Sequence, residues 1–317
     1  MRNKSIIACA GPFCLVALIL PLILTTTASA GGSPGDAGLL FLRMGMGTRE
    51  AAMGGSGVAI TEGGAAAYWN PSLLAFNEGP GTSLILQQQT WLNSFDYTAA
   101  GLTHHGDFGV IGLTFTGLYS EKIDRRGTDN VGMSEGTFSP YDLSFGASYS
   151  RRLGQDFSLG VQAKVVYEKI DIYSGSVVLF DLFGTWKLRH LPGMTVALSA
   201  TNLGGQMTIN QEPFDVPQTV TLGAAWAPIS GSLADRMTLT ADIGFYNDGN
   251  NKAHVGGEVK VVPEFALRIG YKVNYENQGV TAGAGFRYKA LGLGYAYESI
   301  SDDALDAGHR FSLELFF

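Results

Sequence analysis

From about Thr82 to Phe317 the chain alternates, residue by residue, between apolar and polar side chains in segments roughly ten residues long. Phe157, Leu159, Val161, Ala163, Val165 and Tyr167 fall on one side of such a segment. Ser158, Gly160, Gln162, Lys164 and Glu168 fall on the other, with Val166 the one apolar intruder. The same division recurs at Phe265, Leu267, Ile269, Tyr271 against Ala266, Arg268, Gly270, Lys272, and at Met237, Leu239, Ala241, Ile243 against Thr238, Thr240, Asp242, Gly244. A period of two is the signature of a β-strand, whose successive side chains point to opposite faces.

Fourteen such segments can be counted, centred near residues 87, 99, 113, 145, 162, 183, 197, 221, 240, 256, 269, 284, 294 and 313. Each is long enough for a tilted strand to cross a bilayer, which takes about 9–11 residues. The connections also alternate in length. Ser120 to Pro140, Leu203 to Asp215 and Ser299 to Gly308 are long and polar, whereas Gly106-Asp107, Gly154-Gln155, Pro192-Gly193, Pro263-Glu264 and Ala290-Leu291 are tight. Only Pro228 to Asp235 departs from the rule. Short turns on one side and long loops on the other are the habit of outer-membrane barrels. The expected fold is therefore all-β: a 14-stranded antiparallel transmembrane β-barrel over residues 82–317.

Composition fits that reading and removes others. Charged residues are 15% of the 317, the net charge is −7, aromatics reach 11%, and mean hydropathy is only +0.11. A nucleic-acid binder is basic, a disordered chain is poor in aromatics, and a helical membrane protein is more hydropathic. A barrel wall averages near zero because half of each strand is polar. The 43 glycines are roughly double the usual ~7% share.

Residues 1–30 read as a secretory signal peptide: Arg2 and Lys4, the apolar run Ile6–Leu24, then Ala28-Ser29-Ala30 as a small-residue cleavage site. Cys9 and Cys14 both lie within it, so the mature chain is expected to carry no thiol, disulfide or cysteine metal site. Destination and partners follow: the outer membrane of a diderm (Gram-negative-type) bacterium, its lipid, and the barrel-insertion machinery. His309, Phe311, Leu313, Leu315 and Phe317 alternate to a terminal aromatic, which resembles the final-strand signal such machinery reads, with Phe311 and Phe317 as its aromatics.

Residues 31–81 do not alternate. They are apolar, small and glycine-rich, and fit best as an N-terminal hatch inside the barrel, where small residues permit close backbone packing. Phe41-Leu42, Gly45-x-Gly47-x-Arg49, Ala52-Met53-Gly54-Gly55 and Ala67-Tyr68-Trp69-Asn70-Pro71 resemble the N-terminal signature of the PorV/PorQ family, a branch of the FadL-like outer-membrane barrels. Asp181, Asn202-Leu203-Gly204-Gly205, Pro217-Gln218-Thr219 and Arg268-x-Gly270-Tyr271 extend the likeness over essentially the whole mature chain. Ser72, where FadL-like hatches carry Ala after Asn-Pro, and Gly63-Gly64, in place of a more acidic stretch, depart from it. The resemblance implies fourteen strands around a hatch. For PorV-like members it implies type IX protein secretion or surface attachment of cargo carrying C-terminal sorting domains, with secretion-system subunits as partners. For FadL-like members proper it implies uptake of hydrophobic small molecules.

Chemistry-bearing constellations are sparse. The glycines at 45, 47, 54, 55 and 57 lack the Lys-Ser/Thr pair and strand–helix frame of a phosphate loop, so they read as packing residues. His104 and His105 are adjacent on a strand and point oppositely. His309 near Asp302, Asp303 and Asp306 does not have the spacing of a calcium loop. No catalytic residue, metal site or cofactor is expected, and no enzyme. Lys164, Glu168, Asp242, Glu258, Lys260, Arg268, Lys272, Arg287, Lys289, Glu298, Arg310 and Glu314 should face the lumen and pair across strands. Such a lumen favours a plugged scaffold, which tilts the reading toward protein handling, with the FadL-like channel as the alternative. Under the first reading, Arg125, Arg126 and Phe138 of the Ser120–Pro140 loop are the candidate cargo contacts, being the residue types that dominate hot spots.

Overall fold

A computed structural model describes residues 37–77, 81–91, 95–126, 134–228, 236–249, 251–301 and 306–317. The expected signal peptide lies outside the described residues, as does most of the Pro228–Asp235 connection.

Fourteen strands close into one antiparallel barrel. They are β1 (Gly81–Trp91), β2 (Phe95–Gly106), β3 (Gly109–Ser120), β6 (Tyr141–Leu153), β7 (Phe157–Ile170), β8 (Tyr173–Lys187) and β9 (Met194–Gly204), followed by β12 (Thr219–Trp226), β13 (Met237–Tyr246), β14 (Lys252–Val262), β15 (Phe265–Val273), β16 (Gln278–Tyr288), β17 (Leu291–Ile300) and β18 (Gly308–Phe316). Each pairs with the next around the ring, and β18 closes on β1 with Leu84 opposite Leu315. Closure leaves no open edge, which is what a sheet in hydrocarbon requires. The strands coincide with the fourteen alternating segments.

Two small hairpins stand outside the ring. β4 (Ile123–Asp124) pairs with β5 (Thr137–Phe138) in the first long connection, and β10 (Met207–Ile209) pairs with β11 (Glu212–Phe214) in the second. Alternation could not reveal them, because two or three residues are too few to establish a period.

Burial is inverted relative to a water-soluble globule. On β7, Val161 and Val165 are 52% and 50% exposed, whereas Gln162 and Lys164 between them are 4% and 9% exposed. The apolar face needs a lipid solvent and the polar face lines the interior. Aromatic rings mark both interfaces: Tyr119, Tyr141 and Tyr167 stack in a row at the long-loop end, and the exposed Tyr149, Trp186, Trp226 and Tyr288 lie toward the short-turn end.

Most of the expected lumen charges lie inside, but three differ. Lys289 sits in the β16–β17 turn with a left-handed φ of 53°, and Lys260 and Arg287 are exposed near the short-turn rim. Alternation reports which face a residue occupies, not its depth along the strand, so charges at strand ends escape into solvent.

Candidate functional site: the plugged lumen

Residues 37–77 run down through the barrel as short helical turns, the longest being Pro71–Phe76, with Thr48–Ala52 the longest α-helical one. The first described residues are held at the long-loop end. Ala37 bridges Asp215 in parallel, and the Gly38 amide donates to the Asp215 carbonyl at 3.1 Å. Arg43 then forks onto both oxygens of Asp248 at 2.8 and 2.9 Å and lies 4.6 Å above the Tyr246 ring.

Beneath this rim is an apolar cluster. Phe41, Leu42 and Met46 of the hatch pack with Tyr97, Leu179 and Met207, and Val166 is fully buried among them. The apolar residue that interrupts the polar face of β7 is therefore a lumen contact. Tyr68 and Trp69 close the cluster from below, donating to the carbonyls of Leu42 and Met46, each at 2.6 Å.

Midway down, the Thr48–Ala52 turn lies against β15–β18. The Thr48 hydroxyl meets Ser312 at 2.7 Å. Arg49 holds both oxygens of Glu258 at 2.8 and 3.0 Å and also reaches Glu62 at 2.9 Å, while Arg268 reaches Glu258 at 2.7 Å. A second triad joins Lys272, Glu298 and Arg310, and Arg310 also donates to the Met44 carbonyl at 2.9 Å. Glu50, outside the spanning strands, is 2% exposed, and burial raises its carboxyl to about 7 against the opposing pull of Arg49.

The motif glycines are needed for two reasons. Gly45, Gly47, Gly54 and Gly55 all have φ between 79° and 96°, which L-residues with a Cβ rarely adopt. Gly54 also touches the wall: a Cβ on Gly270 of β15 would lie 2.1 Å from the Gly54 nitrogen. Met53 is buried beside it, where a Cβ on Gly256 of β14 would meet the Met53 backbone. Hatch and wall glycines together make this backbone-to-backbone approach.

Asn70 and Pro71 form the turn near the short-turn end. The Asn70 side chain donates to the Val58 carbonyl and to Thr185, each at 2.9 Å, and accepts from the Ser72 amide at 3.1 Å. Ser150 donates to the Pro71 carbonyl at 2.8 Å, and Ser72, the departure from the family pattern, uses its hydroxyl on Asn70 and Thr185. The later signature stretches converge as well. Asn202, at φ 61° in a bulge between β8 and β9, donates its amide to Asp181 at 2.7 Å and its side chain to the Pro217 carbonyl at 2.8 Å. Asp181 also takes both contacts from Lys164.

The loop candidates lie apart from this core. Arg125 pairs with Asp171, Arg126 comes within 3.9 Å of Asp124, and Phe138 belongs to β5. Phe311 faces outward and is 58% exposed, and Phe317 is 76% exposed at the short-turn rim. Sequence reasoning missed Asp215, Asn247 and Asp248, the rim acceptors; their nearest signal is the Pro217-Gln218-Thr219 stretch beside Asp215. Among the described residues no group of three His, Cys, Asp or Glu is placed to hold a metal.

Between hatch and wall the lumen keeps a cavity of about 90 Å³. Its wall is built by β3, β6–β9 and β12–β14, and its inner side by Leu42, Val58, Tyr68 and Trp69.

No protein-family model and no curated protein sequence matches the chain. Solved structures share its fold. The Ralstonia pickettii toluene transporter TbuX superposes with a TM-score of 0.61 at 13% identity, covering 87% of this chain and 98% of its own. The Pseudomonas putida toluene transporter TodX gives 0.59 at 13% identity, over 86% and 96%. A Pseudomonas aeruginosa FadL homologue gives 0.54 at 13% identity, over 86% and 98%. The chain shares the barrel fold of these three structures.

Proposed function

We propose that this protein is a non-enzymatic outer-membrane conduit that admits small hydrophobic molecules at its long-loop end and controls their passage with the hatch. The observation that carries the reading is the apolar cluster around Phe41, Leu42, Met46 and Met207. It lines the outer half of the lumen with apolar side chains directly below the rim, where repacking of the hatch would expose them to an entering solute. Burial of an apolar solute there is favourable by roughly 25 cal/mol per Å², and the flexible thioethers of Met46 and Met207 can repack around varied shapes. The solved barrels of this fold add support, being described as toluene transporters and a monoaromatic hydrocarbon channel.

A second reading is PorV/PorQ-type handling of secreted cargo, with Arg125, Arg126 and Phe138 as the contact surface. The two buried ion-pair triads favour it, since they suit a rigid scaffold. Gene deletion separates the two. Lost uptake of toluene with normal secretion supports the conduit. Cargo with C-terminal sorting domains accumulating in the periplasm, with uptake intact, removes it in favour of the second. Either reading places the protein in outer-membrane lipid, delivered by barrel-insertion machinery that reads the Phe311–Phe317 end.

A further inference from the structure

The two ends of the barrel carry opposite charge. From β6 onward each connection at the short-turn end holds exposed cations: Arg151 and Arg152 at β6–β7, Lys187 and Arg189 at β8–β9, Arg236 at the start of β13, Lys260 at β14–β15 and Lys289 at β16–β17. The acids described in those turns and in β2–β3 are Asp107, Asp156 and Glu264. Among the described residues, only Arg189 of these cations has an ion pair, with Asp156. The long-loop end runs the other way. Arg125 and Arg126 each face an aspartate there, and Glu121, Glu135, Glu212 and Glu276 are exposed. A chain whose net charge is −7 thus concentrates positive charge on one rim.

These cations stand at the aromatic belt. Arg151 is two residues beyond Tyr149 on the lipid-facing side of β6, Lys187 follows Trp186 directly, and the Lys289 ammonium lies 5.3 Å from the centre of the exposed Tyr288 ring. Exposed Leu153, Leu191 and Val261 are interleaved with them. Long cationic side chains lay their stems along apolar surface and hold the charge at headgroup level. A rim of cationic, aromatic and aliphatic groups therefore matches the boundary between phosphate and acyl chain in a lipid leaflet. Tyr149, Arg151 and Leu153 alternate outward from the wall, where lipid touches them and a protein capping the end of the barrel would not.

We propose that the short-turn rim is a binding surface for anionic phospholipid, and that it selects phosphatidylglycerol over phosphatidylcholine of the same chain length. The rim cations hold the phosphodiester of the headgroup while the aromatic and aliphatic side chains lie along the upper acyl chain. A choline headgroup carries its own cation and gains less from the rim. Each Lys or Arg close to an anionic lipid surface contributes about a fivefold preference. The inference rests on the barrel's lying in a bilayer and is independent of what passes through the lumen.

The test is quenching of tryptophan fluorescence by brominated lipid, with the full chain in dioleoyl phosphatidylcholine vesicles. A minor fraction of the lipid is dibrominated phosphatidylglycerol in one set and dibrominated phosphatidylcholine in the other. Trp186 and Trp226 report the short-turn rim, Trp69 lies in the lumen, and Trp91, at the long-loop end of β1, is removed by a Trp91→Phe background. Brominated phosphatidylglycerol is expected to quench as if enriched about fivefold at the rim. The excess should vanish between about 0.01 M and about 1 M salt, as the screening length falls from about 30 Å to about 3 Å. Lys187→Gln/Arg236→Gln removes two rim cations at the strand ends beside these tryptophans and should bring the two lipids level. Lys122→Gln/Lys169→Gln makes the same change in net charge at the long-loop end and should leave the excess in place. The heat-dependent gel shift of the folded barrel checks that each variant is assembled. Equal quenching by the two lipids, an excess that survives high salt or the rim variant, or equal loss in both variants overturns the proposal. Binding of soluble polyglutamate to the rim without any lipid excess overturns it in favour of an acidic protein partner.

Discussion

Arg49 of the hatch and Glu258 of β14, 209 positions apart in the chain, meet through two hydrogen bonds of 2.8 and 3.0 Å with Glu258 almost wholly buried. Arg268, on the neighbouring strand and directly opposite Glu258, occupies the same carboxylate from the other side. One buried anion thus ties the plug to two strands of the wall. The arrangement is neutralised locally only while all three partners are present, together with Glu62, which shares Arg49.

Glu258→Gln takes the shared anion from both guanidinium groups and leaves Arg49 only the exposed Glu62. Removing one partner of a buried ion pair costs about 3–5 kcal/mol, and a loss of this order is expected in urea unfolding followed by gel shift. A loss below about 1 kcal/mol would show that water already screens the site.

Gly270→Ala places a methyl group where the Gly54 amide nitrogen lies. The barrel strand itself tolerates alanine, so the strain falls on the hatch. The expected result is a barrel that still assembles and shifts on gels, with a hatch that proteases cut faster and a stability loss of about 1–3 kcal/mol, typical of overpacking. An unaltered cleavage rate would mean that the contact is not close in solution.

Glu50 ties hatch seating to pH. Burial raises its carboxyl to about 7, so the seated state retains a proton that the unfolded chain gives up near 4.5. Its protonation favours the seated form fully below about 4.5, and that contribution is lost as pH rises toward 7. The urea midpoint is therefore expected to fall between pH 5 and 7, and Glu50→Gln should flatten that part of the profile. An identical slope in wild type and variant would assign the titration to another group.

Phe317 tests the reading of the chain end. Deleting it should lower the fraction of protein recovered as folded barrel from outer membranes, while Phe317→Tyr keeps an aromatic there and restores it. Normal recovery of the deleted form would show that Phe311 and the rest of β18 suffice for delivery.

How much could be seen without the fold is best judged from particular residues. Val161 and Val165 against Gln162 and Lys164 already state that one face of β7 meets lipid, because the pleat sends neighbours to opposite sides wherever the strand lies. Fourteen repetitions of that statement, with the two longest connections on one side, specify a closed antiparallel ring and the number of its staves, although β1–β2 and β7–β8 turn within three residues on that same side. Gly54-Gly55 and Asn70-Pro71 advertise a segment of tight turns that is not a strand. None of this says where along a strand a residue sits. Lys289 and Lys164 look alike in an alternating pattern, yet one lies in a solvated turn and the other is buried against Asp181. Nor does it say that Val166 belongs to an apolar cluster, or that Ala37 would reach Asp215 across a β10–β11 hairpin too short to announce itself.

Local chemistry set the wall, because lipid and lumen impose their demands on every strand separately and leave a two-residue period in the text of the chain. The plug's partners and the cavity between plug and wall arise only when strands distant in sequence are brought around one axis. Those contacts depend on register and depth, and a repeating pattern carries neither.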